Sequence, residues 1–276
     1  MTLAQYLAEL EQELVAAGEE AESLSFVYRA LNKLSFTDFV LKLRTEVNPE
    51  DCEQLKAIQE QLLAHKPAQY IIGSSDFHGL TLKVDERVLI PRPETEELVE
   101  LILSENPETP LSVLDIGTGS GAIALALANS RPDWQITASD LSSDALSLAR
   151  ENAQSCGLSL TFVQSDCLDA IQGKFDIIVS NPPYISEADK DEVGLNVLAS
   201  EPHMALFAGE NGYAIYRKIA EQAGDYLTEK GKIYLEIGYK QGDGVADLLR
   251  QFFPKKRIRV LKDQFGKDRM VAMDNG

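Results

Sequence analysis

Gly117-Thr118-Gly119-Ser120-Gly121 follows the apolar run Val113-Leu114-Asp115-Ile116 and leads into a second apolar stretch from Ala122. A strand that turns through glycines into a helix lets main chain come close to a ligand at the helix start. Gly117, Gly119 and Ala122 also satisfy a dinucleotide fingerprint, with Asp140 near the expected downstream position. Asp115 argues against that reading, because a carboxylate ending the strand gains nothing beside a pyrophosphate. S-adenosylmethionine brings a sulfonium and an amino group instead, and both are attracted to carboxylates. Asp140 ends the next strand, Thr137-Ala138-Ser139-Asp140, and its two oxygens suit the two hydroxyls of a ribose; capping the following helix is the plainer alternative. Asp166 follows Thr161 to Ser165, on the same predicted carboxyl edge, where it suits an adenine amino group or an ordinary turn.

The string Asn181-Pro182-Pro183-Tyr184 follows a fourth apolar run, Phe175 to Val179, so it points into the same predicted cleft. Two prolines fix the backbone and remove two donors, leaving carbonyls free to accept from an incoming NH₂. Asn181 adds a side-chain carbonyl, and Tyr184 a flat face for a planar group. The constellation suits a planar nitrogen whose lone pair is delocalised. We therefore take Asn181, Pro182 and Tyr184 as candidate catalytic residues, and Asn181 to Tyr184 as the candidate substrate site.

These strings need an α/β frame. Strand-like runs at Ser112 to Ile116, Gln135 to Ala138, Leu160 to Val163, Phe175 to Val179, Lys232 to Ile237, Arg257 to Leu261 and Met270 to Met273 alternate with helical patterns. The helical patterns cover Ala122 to Ser130, Ser143 to Cys156, Gly212 to Thr228 and Gly242 to Phe252. Such alternation predicts a parallel sheet covered on both faces. The last two strands are joined too closely for a crossover helix, so they must be antiparallel.

Ahead of this domain, apolar positions Leu3, Tyr6, Leu7, Leu10, Leu14 and then Phe26, Val27, Ala30, Leu31, Leu34 recur at helical spacing. Ser35 to Lys42 and Asp51 to Leu63 suggest two further helices, with Ser35, Thr37 and Asn48-Pro49 as start signals. Residues 1–66 thus read as a helical bundle. Over 67–92 the short runs Tyr70 to Ile72, Leu80 to Val84 and Val88 to Ile90 suggest a hairpin linker, and 93–276 is the α/β domain, opened by a helix from Glu94 to Leu103.

Composition narrows the classes. The opening is acidic and amphipathic and no apolar run reaches 18 residues, so the expectation is a soluble, cytoplasmic protein with no membrane partner, most simply a monomer. Three scattered cysteines and three histidines support neither a disulfide framework nor a metal site. A formal charge of −18 weighs against a nucleic-acid partner.

The glycine loop, Asp140 and Asn181 to Tyr184 together resemble a seven-stranded, Rossmann-like S-adenosylmethionine-dependent methyltransferase acting on planar nitrogens. Further strings narrow the resemblance: Gln69 to Gly73, Phe77-His78-Gly79, Leu89 to Thr95, Glu201-Pro202 leading to Ala205-Leu206, Gly212 to Arg217, Glu236-Ile237-Gly238 and Asp268-Arg269. They resemble the HemK/PrmC family, the peptide-chain release factor glutamine methyltransferases, over nearly the whole chain. That resemblance implies S-adenosylmethionine as cofactor and, as substrate, the glutamine of the Gly-Gly-Gln loop of release factors. It implies cofactor contacts from Gly117, Thr118, Gly119, Ser120, Gly121, Asp140, Asp166, Cys167 and Asn181, and a substrate-recognising role for the helical leader. Cys167 departs from the pattern, since the family carries a tryptophan after the aspartate, and a thiol offers less surface for stacking on adenine. Three rivals stand beside this reading, of which a nicotinamide-dependent oxidoreductase fails for lack of a recognisable hydride-transfer partner. Methylation of an adenine amino group on DNA or RNA would suit the Asn-Pro-Pro-Tyr string equally, but no basic recognition region accompanies it. A non-catalytic cofactor-binding module is disfavoured by the intact string beside an intact glycine loop.

Overall fold

The computed structural model describes residues 1–276. Leu3, Leu7, Leu10 and Leu14 lie on one face of α1 (Leu3–Ala16), which Thr2 and Gln5 open as a reciprocal capping box. That face packs with α2 (Glu22–Leu31), α3 (Phe36–Lys42), α4 (Pro49–Leu63) and the short α5 (Ala68–Ile72). Ser35 caps α3 and Asn48 caps α4 through their side-chain oxygens, and Pro49 takes the first helical position; Thr37 lies inside α3. On α2 the buried residues are Leu24, Val27 and Tyr28, whereas Phe26 and Leu31 are exposed. The helical period was legible, but the stripe is rotated from the predicted one because Tyr28 turns inward to donate to Asp51 at 2.6 Å, and Lys42 donates to the same carboxylate at 2.8 Å.

The expected extended run at Tyr70 to Ile72 is helical instead. Pro67 precedes its first turn and Gly73, left-handed at φ +81°, ends it. The hairpin itself is β1 (Ser74–Phe77) and β2 (Leu80–Lys83), and Val88 to Ile90 forms no strand. Two compact units result: Met1–Ser74 with Val193–Glu201, and Ser75–Glu192 with Pro202–Gly276. In place of a free-standing linker over 67–92, α5 belongs to the first unit and the hairpin from Ser75 onward to the second. Within the first unit, Ser200 donates to the main-chain oxygen of His65 at 3.2 Å.

The second unit opens with α6 (Pro93–Glu105) and continues as β3 (Ser112–Ile116), α7 (Ala122–Ser130), β4 (Gln135–Asp140), α8 (Ser143–Cys156), β5 (Thr161–Gln164) and β6 (Phe175–Ser180). The chain then passes through the short helices α9 (Leu195–Ser200), α10 (His203–Leu206) and α11 (Gly209–Gly212), of which α9 lies in the first unit. It closes with α12 (Ala214–Gln222), β7 (Leu227–Glu236), α13 (Gly242–Phe252), β8 (Arg257–Lys262) and β9 (Asp268–Asp274). Sheet order is β5-β4-β3-β6-β7-β9-β8, parallel except that β9 runs antiparallel to both β7 and β8. The predicted helix over Gly212 to Thr228 is shorter, because Leu227 already pairs with Phe175 and the Thr228 hydroxyl donates to Asp176.

Strand alternation divides two cores. Val113, Ile177 and Tyr234 face one, with Leu98 and Ile102 of α6 and nearly all of α7. Leu114, Ile178 and Ile233 face the other, with Tyr216 and Ile219 of α12 and Val245 and Leu249 of α13. Helix α7, apolar all round, is buried from Ala122 to Ala128, as such a helix must be.

Candidate functional site

Strand order creates the cleft. The chain moves outward from β3 through β4 to β5, then returns to β6 on the other side of β3, and open α/β sheets bind ligands at this reversal. Ile116 is in register with Ser139 of β4 and with Ser180 of β6, so the glycine loop and Asn181 leave adjacent strands at one level. The Ser180 hydroxyl donates to the Ile116 main-chain oxygen at 2.7 Å and fixes that alignment. Gly117 to Ser120, Asp140, Asp166, Cys167, Asn181, Pro182 and Pro183 all line the cleft, together with Arg92 and Thr95.

The glycine loop is folded by its neighbours. Gly117 and Thr118 both donate main-chain N–H to the oxygen of Ser139 at 2.9 Å. Gly117 and Gly119 hold φ of +71° and +55°, and a methyl at either would meet no protein atom within 4 Å. Side chains there would fill space that a ligand can take. Gly121 corrects the sequence reading: it does not line the cleft but starts α7, where a methyl would meet Leu125 at 3.0 Å and Ala149 at 3.4 Å. Its glycine serves packing. Asn152, which sequence reasoning missed, is 1% exposed and anchors the loop by donating to the Ser120 main-chain oxygen at 2.9 Å, while bonding Lys83 of the hairpin in both directions.

Asp115 is fully buried. Thr118 donates to its Oδ2 at 2.6 Å, but Oδ1 has no hydrogen-bond partner. Burial pushes this carboxyl up to about 7, aided by the nearby Asp140 and opposed by the Thr118 hydroxyl. Asp140 accepts from Gly119 N–H and from Ser142 N–H, both at 2.9 Å. Burial raises its pKa too, against those main-chain donors. It is not the cap of α8: Ser142 does that, accepting from Ala145. The Asp140 carboxylate, with main-chain N–H groups of Ser142, Gly119 and Leu141 acting on it, keeps acceptor capacity for a ligand.

On the third edge, Asp166 is exposed and ion-paired with Lys218 at 2.9 Å, so its carboxylate already has a cationic partner. Cys167 is buried, at φ +54°, and burial first of all pushes its thiol up to about 12. It is therefore a neutral apolar patch of the wall.

Across the cleft, Asn181 donates from Nδ2 to Thr95 Oγ1 at 3.1 Å, and Thr95 donates to Glu236 Oε2 at 2.6 Å. Glu236 is 2% exposed. Burial pushes it up to about 7; Thr95, Arg269 and the Asn181 amide oppose this, while Glu94 adds to it. Thr95 and Glu236 stand in the strings that carried the family resemblance, yet nothing in the sequence joined them to Asn181. Tyr184 also corrects the sequence reading, since its ring does not line the cleft. It packs into the core shared with α12 and α13, and a methyl on Gly238 would sit 3.2 Å from its Cδ2. Burial raises its hydroxyl to about 12. Its main-chain oxygen accepts from Gln241 Nε2 at 3.0 Å, which anchors the end of the Asn-Pro-Pro segment.

A cleft lined by the Asp140 carboxylate at the end of β4 and by two side-chain-free glycine positions, with a second carboxyl, Asp115, fully buried in β3 beside the same loop, fits S-adenosylmethionine. Its positive charges answer the acids, and its ribose hydroxyls can donate to Asp140.

Comparison with known proteins agrees with this chemistry. Residues 95–210 match the Methyltransferase small domain family, and residues 5–73 match the PrmC N-terminal domain. The chain is 66% identical to a release factor glutamine methyltransferase of Streptococcus pneumoniae, over 100% of this chain and 99% of that protein. It is 50% identical to one of Lactococcus lactis, over 92% and 94% respectively. Among solved structures, a methyltransferase of Pyrococcus furiosus shares the fold at TM-score 0.55 and 19% identity, covering 81% of this chain and 98% of that one. At such identity over its full length, with both regions matched, this chain belongs to the release factor glutamine methyltransferase family.

Proposed function

We propose that this protein transfers a methyl group from S-adenosylmethionine to the side-chain amide nitrogen of the glutamine in the Gly-Gly-Gln motif of release factors. The observation that carries this reading is the orientation of Asn181: its NH₂ is committed to Thr95, so its carbonyl is the prong left to accept from a substrate NH₂. The Pro182 main-chain oxygen is the second acceptor in this reading, because proline prevents local pairing in the opposite sense. When bound, S-adenosylmethionine supplies a methyl carbon activated by its positively charged sulfur. Asn181 and Pro182 hold both N–H bonds of the glutamine amide, orient its nitrogen along the line of displacement, and stabilise the charge that develops on it. The methyl carbon would exchange its bond to sulfur for one to the amide nitrogen, whose surplus proton would be lost to solvent. Asp140 would hold the ribose, Gly117 to Ser120 and Asn181 would line the cofactor's path, and Asp166 and Cys167 would border the adenine. Tyr184 supports the segment from behind.

Mass spectrometry of a release factor after incubation with enzyme and labelled cofactor tests the reaction. One labelled methyl on the Gly-Gly-Gln glutamine is expected, and label absent from that residue overturns the proposal. We assign recognition of the intact release factor to the N-terminal unit, since a glutamine on a protein loop requires contacts distant from the chemistry. The site of action in this reading is the cytoplasm, where release factors work, and the enzyme acts as a monomer without nucleic acid. No helix is long and apolar enough to cross a membrane.

A further inference from the structure

We propose that Thr95 and Glu236 are positioning residues that set which way the Asn181 side-chain amide faces. The proposal rests on the reading of Asn181 as an acceptor for the substrate amide. Three elements meet here: Thr95 lies in the first turn of α6, Glu236 ends β7, and Asn181 follows β6. Thr95 is 4% exposed and Glu236 2%, so water does not substitute freely for either partner.

The chain of donors has one consistent direction. With Glu236 ionised, as it is above about pH 7, its carboxylate only accepts and takes the single proton of the Thr95 hydroxyl at 2.6 Å; protonated, it could instead donate to Thr95. The Thr95 oxygen can then only accept, and the amide must turn its NH₂ towards it, as it does at 3.1 Å. The carbonyl of Asn181 is thereby left for the cleft. Were Thr95 free to donate towards Asn181, the amide would gain as much by turning its oxygen inward. Its NH₂ would then meet the NH₂ of the substrate, donor against donor.

The surroundings hold the carboxylate in place. Arg269 of β9 supplies the compensating charge, while Glu94 of α6, Tyr184 and Tyr216 of α12 also face it, and the Tyr216 hydroxyl donates to the Glu236 main-chain oxygen at 2.7 Å. None of these groups bonds to the Asn181 amide; Glu236 itself also faces that amide and draws its NH₂ inward, in the same sense as the Thr95 oxygen.

Steady-state kinetics on a Gly-Gly-Gln peptide, with calorimetry for the cofactor, tests the relay. Thr95→Val should lower kcat about tenfold with cofactor affinity within about twofold, and Thr95→Ser, which keeps the hydroxyl, should restore kcat. In an Asn181→Ala background, Thr95→Val should add no further loss, because nothing remains to be oriented. A Thr95→Val enzyme with normal kcat, or an additive loss in the double variant, overturns the relay while a crippled Asn181→Ala enzyme leaves the proposed reaction standing. Normal turnover by Asn181→Ala overturns that reading and the relay with it. If Thr95→Val does not fold, Glu236→Gln takes its place: it keeps the side-chain shape but can present either prong to Thr95, so kcat should fall in the Asn181 enzyme and not further in Asn181→Ala.

Discussion

The two walls of the cleft are built on different principles. On the glycine-loop wall the acids are held by donors nearer along the chain, Thr118 to Asp115 across three residues and Ser142 to Asp140 across two, with one longer link, Gly119 to Asp140, across 21. On the Asn181 wall the partners are remote: Thr95 and Asn181 lie 86 residues apart, Thr95 and Glu236 141, and Gln241 and Tyr184 57. One wall is set by the local course of the chain and presents fixed carboxylates. The other exists only where α6, β6 and β7 meet, and presents an amide whose direction must be chosen. A cation and a diol need charge and acceptors in roughly the right place, whereas a weakly nucleophilic amide nitrogen needs orientation.

If the walls divide the work in this way, Asn181→Ala should show it most strongly, lowering kcat by about 10² or more with a much smaller change in cofactor affinity. Selective loss of cofactor binding would move Asn181 to the other wall. Asp140→Ala should do the reverse, weakening cofactor binding by about 1.5 to 3 kcal/mol in a titration calorimeter, the range for hydrogen bonds to a charged group. Unchanged affinity in a folded variant would leave Asp140 with only its main-chain donors.

A third substitution asks whether the remote wall depends on close packing. Gly212 lies at φ +87°, and a methyl there would come within 2.1 Å of the Tyr184 main-chain oxygen. Gly212→Ala should cost about 1 to 3 kcal/mol in denaturant unfolding and reduce kcat through displacement of the segment. A variant of unchanged stability would show that the segment yields easily.

The buried carboxyl of Glu236 gives the remote wall its own pH dependence. A carboxyl raised to about 7 in the folded protein binds protons that the unfolded chain has already lost above about pH 4.5. Its contribution to stability is therefore complete below that value and is lost as pH rises through 7. Asp115, raised to about 7 as well, acts in the same sense on the other wall. Glu236→Gln should flatten the decline between pH 5 and 8 by on the order of 1 to 2 kcal/mol, read from urea midpoints. An unaltered slope would assign the decline to Asp115 and other groups.

The smallest expected effect lies away from both walls. Phe36 and Leu41 of α3 are 69% and 60% exposed, apolar positions that a recognition surface could use. Serine at both should raise KM for intact release factor several-fold, by roughly 1 kcal/mol, and leave a Gly-Gly-Gln peptide unaffected. Equal kinetics on both acceptors would remove this face from recognition.

Much of the molecule was legible in order along the chain. The glycine turn after β3, the carboxylates ending β3 and β4, the Asn-Pro-Pro segment after β6, the seven strands and the caps Ser35 and Asn48 each depend on a few neighbouring residues. Residue type and period report such features directly. The antiparallel ending was also legible, because a short connection leaves no alternative. The pairing of β9 with β7 as well as β8 was not, since it depends on which strands meet. The same reason explains the misplaced details. Gly121 read as a ligand contact and is a packing position against Leu125 and Ala149. Tyr184 read as a wall of the site and is turned into the core, and Thr228 read as helix and is strand. For Tyr184 and Thr228 the deciding partner lies on an element that the local pattern does not identify, whereas Gly121 meets Leu125 one turn on in its own helix and Ala149 of α8. The chemistry available to the cleft was written in residue types, but the direction of the Asn181 amide was decided by folding, when a threonine from α6 and a glutamate from β7 were buried beside it with one proton between them.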